Sequence, residues 1–291
     1  MATNPVFDRI EKDAQQGYAG FNAPSNVGTE TRPNQPNLGQ AGAQWGAQSA
    51  MSQQQLNDLY NQPSAGPVQT GRITMDDVMM KTAALFGIVL VLGAVGWAVA
   101  AANPGLGMVL WMGGMIATLI LGFVIVLKKT ISVPLIVTYA AIEGLFVGAV
   151  SQFFEGRYPG IVMNAVVATL ATFAGMLIAY KMGLIKVTAK FRRIVTMMIF
   201  GYIIFAIVNF IYAMVTNTMF GFGGSGWVGI AISVFAVGLA AVSLALNFDS
   251  IEQAIASGAP KPYSWLLAHG IIVTLVWLYI EFLRLMARLR E

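Results

Sequence analysis

The sequence contains no cysteine and few charged residues. Among its 291 residues, 17 are Lys or Arg and 13 are Asp or Glu, so charged residues make up only 10%, against about 25% in a typical soluble domain. Without cysteine there is no disulfide framework, no thiolate metal site and no cysteine nucleophile. Because 57% of the residues are hydrophobic and the mean hydropathy is +0.69, we exclude an ordinary soluble enzyme and predict an integral membrane protein in a lipid bilayer.

Familiar catalytic motifs are also missing. The sequence has no H-E-x-x-H, no G-x-S-x-G and no Walker loop, and its last apolar segment has no lysine for a Schiff base. One histidine, His269, cannot form a zinc site without carboxylate ligands. We therefore predict that the protein is not an enzyme and has no cofactor. The net charge of +4 does not indicate nucleic acid, because the basic residues lie between apolar runs, as in cytoplasmic loops.

Residues 1–70 differ in composition from the rest of the chain. They are rich in Gln, Asn, Gly, Ala, Ser and Pro and have no hydrophobic period. Such a segment cannot bury enough apolar surface to offset the entropy lost on ordering. We predict a disordered cytoplasmic tail over 1–70 and a membrane domain over 71–291. As an alternative to a solvated tail, a membrane-protein partner could dock on its scattered apolar anchors, namely Phe7, Ile10, Tyr18 and Phe21.

Seven apolar segments of about 20 residues follow the tail, and each is long enough to cross a hydrocarbon core roughly 30 Å thick. The predicted spans are 82–102, 107–127, 133–153, 161–181, 194–216, 227–249 and 263–285. We expect Thr74 and Asp77 to cap the first helix and the Asn-Pro-Gly at 103–105 to form the first turn. These patterns predict an all-α polytopic membrane protein with seven transmembrane helices.

The distribution of Lys and Arg predicts the orientation. They lie before the first span and after the second and fourth: Arg72, Lys81, Lys128, Lys129, Lys181, Lys186, Lys190, Arg192 and Arg193. The connections on the opposite side of the membrane, which follow the first, third and fifth spans, carry only Arg157. By the positive-inside rule the N-terminus is cytoplasmic. Seven spans then put the C-terminus outside, with Arg284, Arg288 and Arg290. Either this basic end is tolerated there, or the last helix does not cross fully.

An acidic residue, Glu143, lies in the middle of the third span, ten residues from each end. A charge at a helix centre costs about 2.5 to 3.5 kcal/mol on insertion scales. Two interpretations remain open: a neutral acid that is hydrogen-bonded across the bundle, or a group that handles protons or cations. Next to it, Gly144 and Gly148 form a G-x-x-x-G that permits close helix approach.

Asp249 and Glu252 interrupt the apolar run at the end of the sixth span. The helical spacing of Phe248, Ile251 and Ile255 continues beyond them, and the stop signal comes only at Gly258. Asp249 therefore lies inside a helix. The two acids share a face at i, i+3, which is unfavourable unless a proton or a cation intervenes. A solvated pair of acids is the alternative to a working site.

The seventh span contains the most polar side chains: His269, Thr274, Glu281 and Arg284. Thr274 and Glu281 lie on one stripe, and Glu281 can pair with Arg284 at i, i+3. His269 titrates in the physiological range, although a lone histidine is more often a structural polar group. A helix with this stripe belongs inside the bundle rather than against lipid.

Three segments, YAAIEGLFVGAVS in helix 3, LNFDSIEQ at the exit of helix 6 and LVWLYIEFLRLMARL in helix 7, resemble the Bax inhibitor family. The resemblance covers about residues 72–290, and NPVFDRIEKDAQQGYAGF near the start is similar to the prokaryotic branch. It implies a seven-helix bundle with helix 7 at the centre and a pH-dependent calcium leak controlled by two aspartates that share a proton. Asp249 matches one of them, and Thr274 occupies the place of the other. His269, Glu281 and Glu143 are then the candidate partners of Asp249.

Two functions follow as expectations. The first is a pH-sensitive leak for Ca²⁺ or another cation across a bacterial plasma membrane, with oxygen ligands from Asp249 and Glu143 and contributions from Thr274 and Glu281, and with Arg284 and Glu252 in supporting positions. The second is a non-conducting regulator or scaffold of a membrane protease or stress pathway, which would recruit its partner through the tail.

Overall fold

The computed structural model describes residues 71–291, and within that range the chain forms seven α-helices. They are α1 Met75–Ala102, α2 Pro104–Leu127, α3 Val133–Arg157, α4 Ile161–Lys181, α5 Ala189–Thr216, α6 Trp227–Ala256 and α7 Tyr263–Arg290. All seven are long and apolar enough to cross a membrane. The prediction of an all-α polytopic membrane protein is confirmed, and every predicted span lies within the corresponding helix. The predicted tail lies outside the described residues.

The helix ends follow the capping signals of the sequence. The Thr74 hydroxyl accepts a hydrogen bond from the backbone N of Asp77 at 3.2 Å and donates to the Asp77 carboxylate at 2.9 Å. Asn103 ends α1, and its side chain caps α2 by accepting from the backbone N of Leu106 at 3.1 Å. α6 ends at Ala256, and Gly258 adopts the left-handed conformation with φ 67°. Because α6 runs seven residues beyond Asp249, this acid does lie inside a helix.

Helices α1 and α3 pack with their backbones in contact. A Cβ atom on Gly148 would lie 2.0 Å from the carbonyl oxygen of Gly93, and one on Gly144 would lie 2.7 Å from that of Val89. On α1, a Cβ atom on Gly96 would lie 2.3 Å from the carbonyl oxygen of Leu145. Small residues on both helices therefore set the distance between them, as the G-x-x-x-G pattern predicts.

α7 is the most extensively buried of the seven helices and packs against α1, α3, α4 and α6. Its central position in the bundle stays a prediction. With 28 residues at about 1.5 Å each, it is about 42 Å long. Near its end Arg288 donates to the carbonyl of Phe220 and Arg290 to that of Pro159, in the α5–α6 and α3–α4 connections. α7 therefore spans the bundle fully.

α5 contacts its neighbours along a narrow stripe. Its buried residues are Val195, Tyr202 and Asn209, which are seven residues apart and so lie on one line along the helix. Val195 and Tyr202 pack against Ala236 and Leu239 of α6. The rest of α5 is largely exposed and apolar, as expected for a helix that faces lipid.

Candidate functional site

Asp249 forms an ion pair with Arg192, which joins α6 to the start of α5. The Asp249 carboxylate also accepts a hydrogen bond from Gln253, one turn further along α6, at 2.9 Å. The two charged side chains are 24% and 13% exposed for Arg192 and Asp249. This half-buried position makes the pair more effective than one at the open surface, where water screens it. The sequence analysis used Arg192 only to predict orientation and did not identify it as a partner.

Glu252 lies one turn from Asp249 and accepts a hydrogen bond from the Tyr180 hydroxyl at the end of α4. The two acids on this face of α6 thus contact different helices: Asp249 binds α5, and Glu252 binds α4. The repulsion expected between i and i+3 carboxylates is offset at Asp249 by the guanidinium of Arg192. Asp249 is therefore part of the packing between α6 and α5, whereas Glu252 is exposed.

Thr274, at the position where the resemblance implies a second aspartate, is bonded to Asn247 of α6. The Asn247 amide donates to the Thr274 hydroxyl at 2.7 Å and to the Gly270 carbonyl at 3.3 Å. Thr274 in turn donates to the Gly270 carbonyl at 2.9 Å. A neutral amide–hydroxyl bond thus connects α6 and α7 two residues before Asp249. Asn247 was not predicted as a site residue.

We expect the Asn247–Thr274 bond to show a measurable coupling energy. Asn247→Leu and Thr274→Val should each destabilise the protein, and the double variant should lose less than the sum by about 1 kcal/mol, the typical net value of a neutral hydrogen bond. Unfolding of the four proteins in detergent, followed by circular dichroism, measures this difference. Strict additivity would show that the two side chains act independently.

Glu281 of α7 gathers three donors on one carboxylate oxygen. Oε1 accepts from the Tyr202 hydroxyl at 2.5 Å, from the Trp277 indole at 3.2 Å and from Arg284 at 3.4 Å. The predicted Glu281–Arg284 pair is confirmed. Glu281 is 3% exposed, and its Oε2 has no hydrogen-bond partner among residues 71–291. The Tyr202–Glu281 bond therefore connects the middle of α5 to α7, as the Asp249–Arg192 ion pair connects the start of α5 to α6.

Glu143 is also 3% exposed, and its Oε1 accepts from the Tyr139 hydroxyl at 2.9 Å. In the described part of the chain its Oε2 has no hydrogen-bond partner. The Tyr139 ring meets the His269 ring edge-on, with centroids 4.4 Å apart. Glu143 and His269 are therefore brought together through Tyr139, whereas Asp249 is bonded to Arg192. Burying a carboxylate whose recorded partner is a neutral hydroxyl costs free energy, and such an arrangement is unusual.

The predicted Ca²⁺ ligands do not form a ready-made cage. In the helical part that the structure describes, no three His, Asp or Glu side chains are grouped so as to hold a metal ion. Asp249 and Glu143 instead contact Arg192 and Tyr139. Because Ca²⁺ takes about six to eight oxygen ligands, a passing ion at Asp249 would have to compete with the Arg192 guanidinium.

Comparison with models of known protein families shows which family the chain belongs to. A family model described as Bax inhibitor 1 like matches residues 4–291. The chain belongs to the Bax inhibitor family. Among curated protein sequences, none matches it. Membership of the prokaryotic branch stays a prediction.

In this Bax inhibitor family protein, the three segments that carried the resemblance lie on α3, α6 and α7. The α3 segment contains Glu143, the α6 segment contains Asp249 and Glu252, and the α7 segment contains Glu281. The structure brings none of the candidate partners, His269, Glu281 and Glu143, into a hydrogen bond or ion pair that it records for Asp249. Its recorded partners are Arg192 and Gln253. Chemically, the site consists of carboxylates that tie α5 to α6 and α7, and proton uptake would weaken both ties.

Proposed function

We propose that this protein is a pH-sensitive leak pathway for Ca²⁺ or a similar cation, in a plasma membrane with the N-terminus in the cytoplasm. The observation that supports it is the Asp249–Arg192 ion pair between α6 and α5. An ion pair depends on the charge of its carboxylate, so protonation of Asp249 removes the attraction. The expected sign is clear: acidification loosens α5, and flux increases.

A second contact through a carboxylate also involves α5, which supports α5 as the helix that moves. The Tyr202–Glu281 bond holds α5 midway along its length, and α5 is otherwise attached by a narrow stripe. If α5 moves away, Glu281, Asp249 and the Thr274 hydroxyl become oxygen ligands along one seam between α5, α6 and α7. Glu143 and His269, joined through Tyr139, are a second pH-responsive group in the bundle.

Calcium influx into vesicles that contain the purified full-length protein tests the proposal. Lowering the pH from about 7 to about 4 should raise the wild-type flux, because carboxylates take up protons mainly in the lower part of this range. Asp249→Asn resembles the protonated acid, so its flux should be high and should no longer depend on pH over this range. Arg192→Gln should also raise flux at high pH, because it removes the other half of the pair.

Arg193→Gln is the matched control, since Arg193 is the next residue and is exposed. This variant should behave as the wild type. If Asp249→Asn shows the flux and pH response of the wild type, the Asp249–Arg192 pair does not control the pathway. If vesicles without protein match the wild type, the protein does not conduct.

The alternative is a non-conducting regulator or scaffold in a membrane protease or stress pathway. The observation that favours it is that the family match begins at residue 4, so the polar N-terminal segment belongs to the family pattern. Deleting residues 1–70 separates the two functions. A leak pathway keeps its flux after the deletion, whereas a regulator that docks through this segment loses its partner.

A further inference from the structure

A lateral crevice of about 400 Å³ lies between α1 and α4. Ala94 of α1 and Val166 of α4 form opposite walls, and Ser151 of α3 and Tyr279 of α7 contribute to its floor. None of the acids of the candidate site lines it. The crevice is therefore separate from the candidate site, and a ligand that binds in it does not depend on ion conduction.

The mouth of the crevice faces the hydrocarbon core of the bilayer. Leu90 and Leu170 line it and are 55% and 45% exposed. Leu90 is the sixteenth residue of the 28 in α1 and Leu170 the tenth of the 21 in α4, so both lie near the middle of their spans. At this depth lipid chains, and not water, surround the protein.

The hydroxyl groups that line the crevice are already bonded within the protein. The hydroxyls of Ser151 and Tyr279 bond to each other at 2.7 Å, and Ser151 also donates to the Val147 carbonyl at 2.6 Å. The Thr169 hydroxyl donates to the Ala165 carbonyl at 2.7 Å. Charged side chains do not line the crevice. A buried water needs about two to four polar partners, so this space is suited to hydrocarbon.

We propose that the crevice binds one acyl chain of a membrane phospholipid. An empty space of this size would deprive its lining of dispersion contacts, and an acyl chain can enter it directly from the surrounding bilayer. The chain would lie between Ala94 and Val166 and contact Leu275 and Val276 of α7. Because no basic residue lines the crevice, recognition depends on the chain and not on the charge of the headgroup.

Native mass spectrometry of the full-length protein in detergent, with added phospholipid, tests the proposal. The wild type should retain one dioleoyl phosphatidylglycerol more tightly than any further lipid, and should retain dioleoyl phosphatidylcholine equally well. Dihexanoyl phosphatidylglycerol, whose chains are too short to fill the crevice, should not be retained. Equal retention of the long- and short-chain lipids by the wild type would overturn the proposal without any variant.

Two matched pairs of variants locate the binding site. Val166→Phe narrows the crevice, whereas Val167→Phe places the same ring on the adjacent exposed position of α4, which is 59% exposed and does not line the crevice. Ala94→Phe and Val95→Phe form the corresponding pair on α1. The crevice variants should lower the apparent affinity for the first lipid about tenfold or more, and the exposed variants should leave it unchanged.

Val166→Phe and Ala94→Phe lie on different helices, so one of them can still test the proposal if the other folds poorly. Circular dichroism identifies which of them fold. If a folded crevice variant retains the lipid as its exposed control does, the chain binds elsewhere. If retention follows the headgroup charge instead of the chain length, a surface electrostatic site is responsible and the proposal is wrong.

Discussion

Replacing Gly148 by valine should separate α1 from α3 and destabilise the bundle by about 3 kcal/mol or more. Even a Cβ atom at this position would lie 2.0 Å from the carbonyl oxygen of Gly93 and 2.7 Å from the backbone nitrogen of Trp97. Both neighbours are backbone atoms, so rotation of a side chain cannot relieve the clash. One of the two helices has to shift, and contacts along their whole interface are then lost.

Gly156 provides the control for this prediction, because it lies on the same helix and a Cβ atom there has no neighbour within 4 Å. Gly156→Ala should leave stability unchanged or increase it slightly, since alanine is the better helix former by up to about 1 kcal/mol. Thermal unfolding in detergent, measured by circular dichroism, compares the variants. A Gly148→Val protein with wild-type stability would contradict the backbone contact between α1 and α3.

Arg288→Met should have the second large effect, a loss of about 3 kcal/mol. Arg288 is 2% exposed, and its guanidinium donates to three groups around the α5–α6 connection: the carbonyls of Gly229 and Phe220 and the hydroxyl of Ser233. It also lies over the Phe220 ring, 5.4 Å from the centroid. Methionine keeps the apolar stem but leaves buried acceptors without a donor.

Two further variants distinguish the geometry of Arg288 from its charge. Arg288→Lys retains the charge, but a single ammonium cannot match the fork of the guanidinium, so we expect an intermediate loss. Arg290→Met removes an exposed arginine with one recorded bond, to the Pro159 carbonyl, and should cost about 1 kcal/mol or less. Limited proteolysis of the 217–226 connection, together with the unfolding curves, checks these values. Equal stability of all three variants would contradict the role of Arg288.

The fold was largely predictable from the sequence because hydrocarbon imposes one strong constraint on a chain. Each backbone polar group must be satisfied within its own segment, so long apolar runs become helices. The extension of α6 to Ala256 followed from Gly258 and the prolines beyond it, and the contact of α1 with α3 followed in part from Gly144 and Gly148. Such signals are local, and they therefore survive in a single sequence.

The partners of the acids were not predictable in the same way. Arg192, Asn247 and Tyr202 are 57, 27 and 79 residues from the groups that they bind, Asp249, Thr274 and Glu281. Such pairs depend on which faces of distant helices meet, and helix periodicity does not determine this. Arg192 in particular was used only to predict the orientation in the membrane, because it lies close to Lys181, Lys186 and Lys190. The crevice was equally unpredictable, since a gap between helices leaves no motif.

The extensive burial of α7 has a consequence for biosynthesis. During translation α7 leaves the ribosome after the other six helices, yet it packs against α1, α3, α4 and α6 and supplies buried polar groups to the bundle, such as His269 and Glu281. Until it inserts, the surfaces that it will cover, including the Tyr139 ring that meets His269, must face lipid, insertion machinery or one another. The native assembly of the membrane domain is thus a late event that follows the insertion of its first six helices.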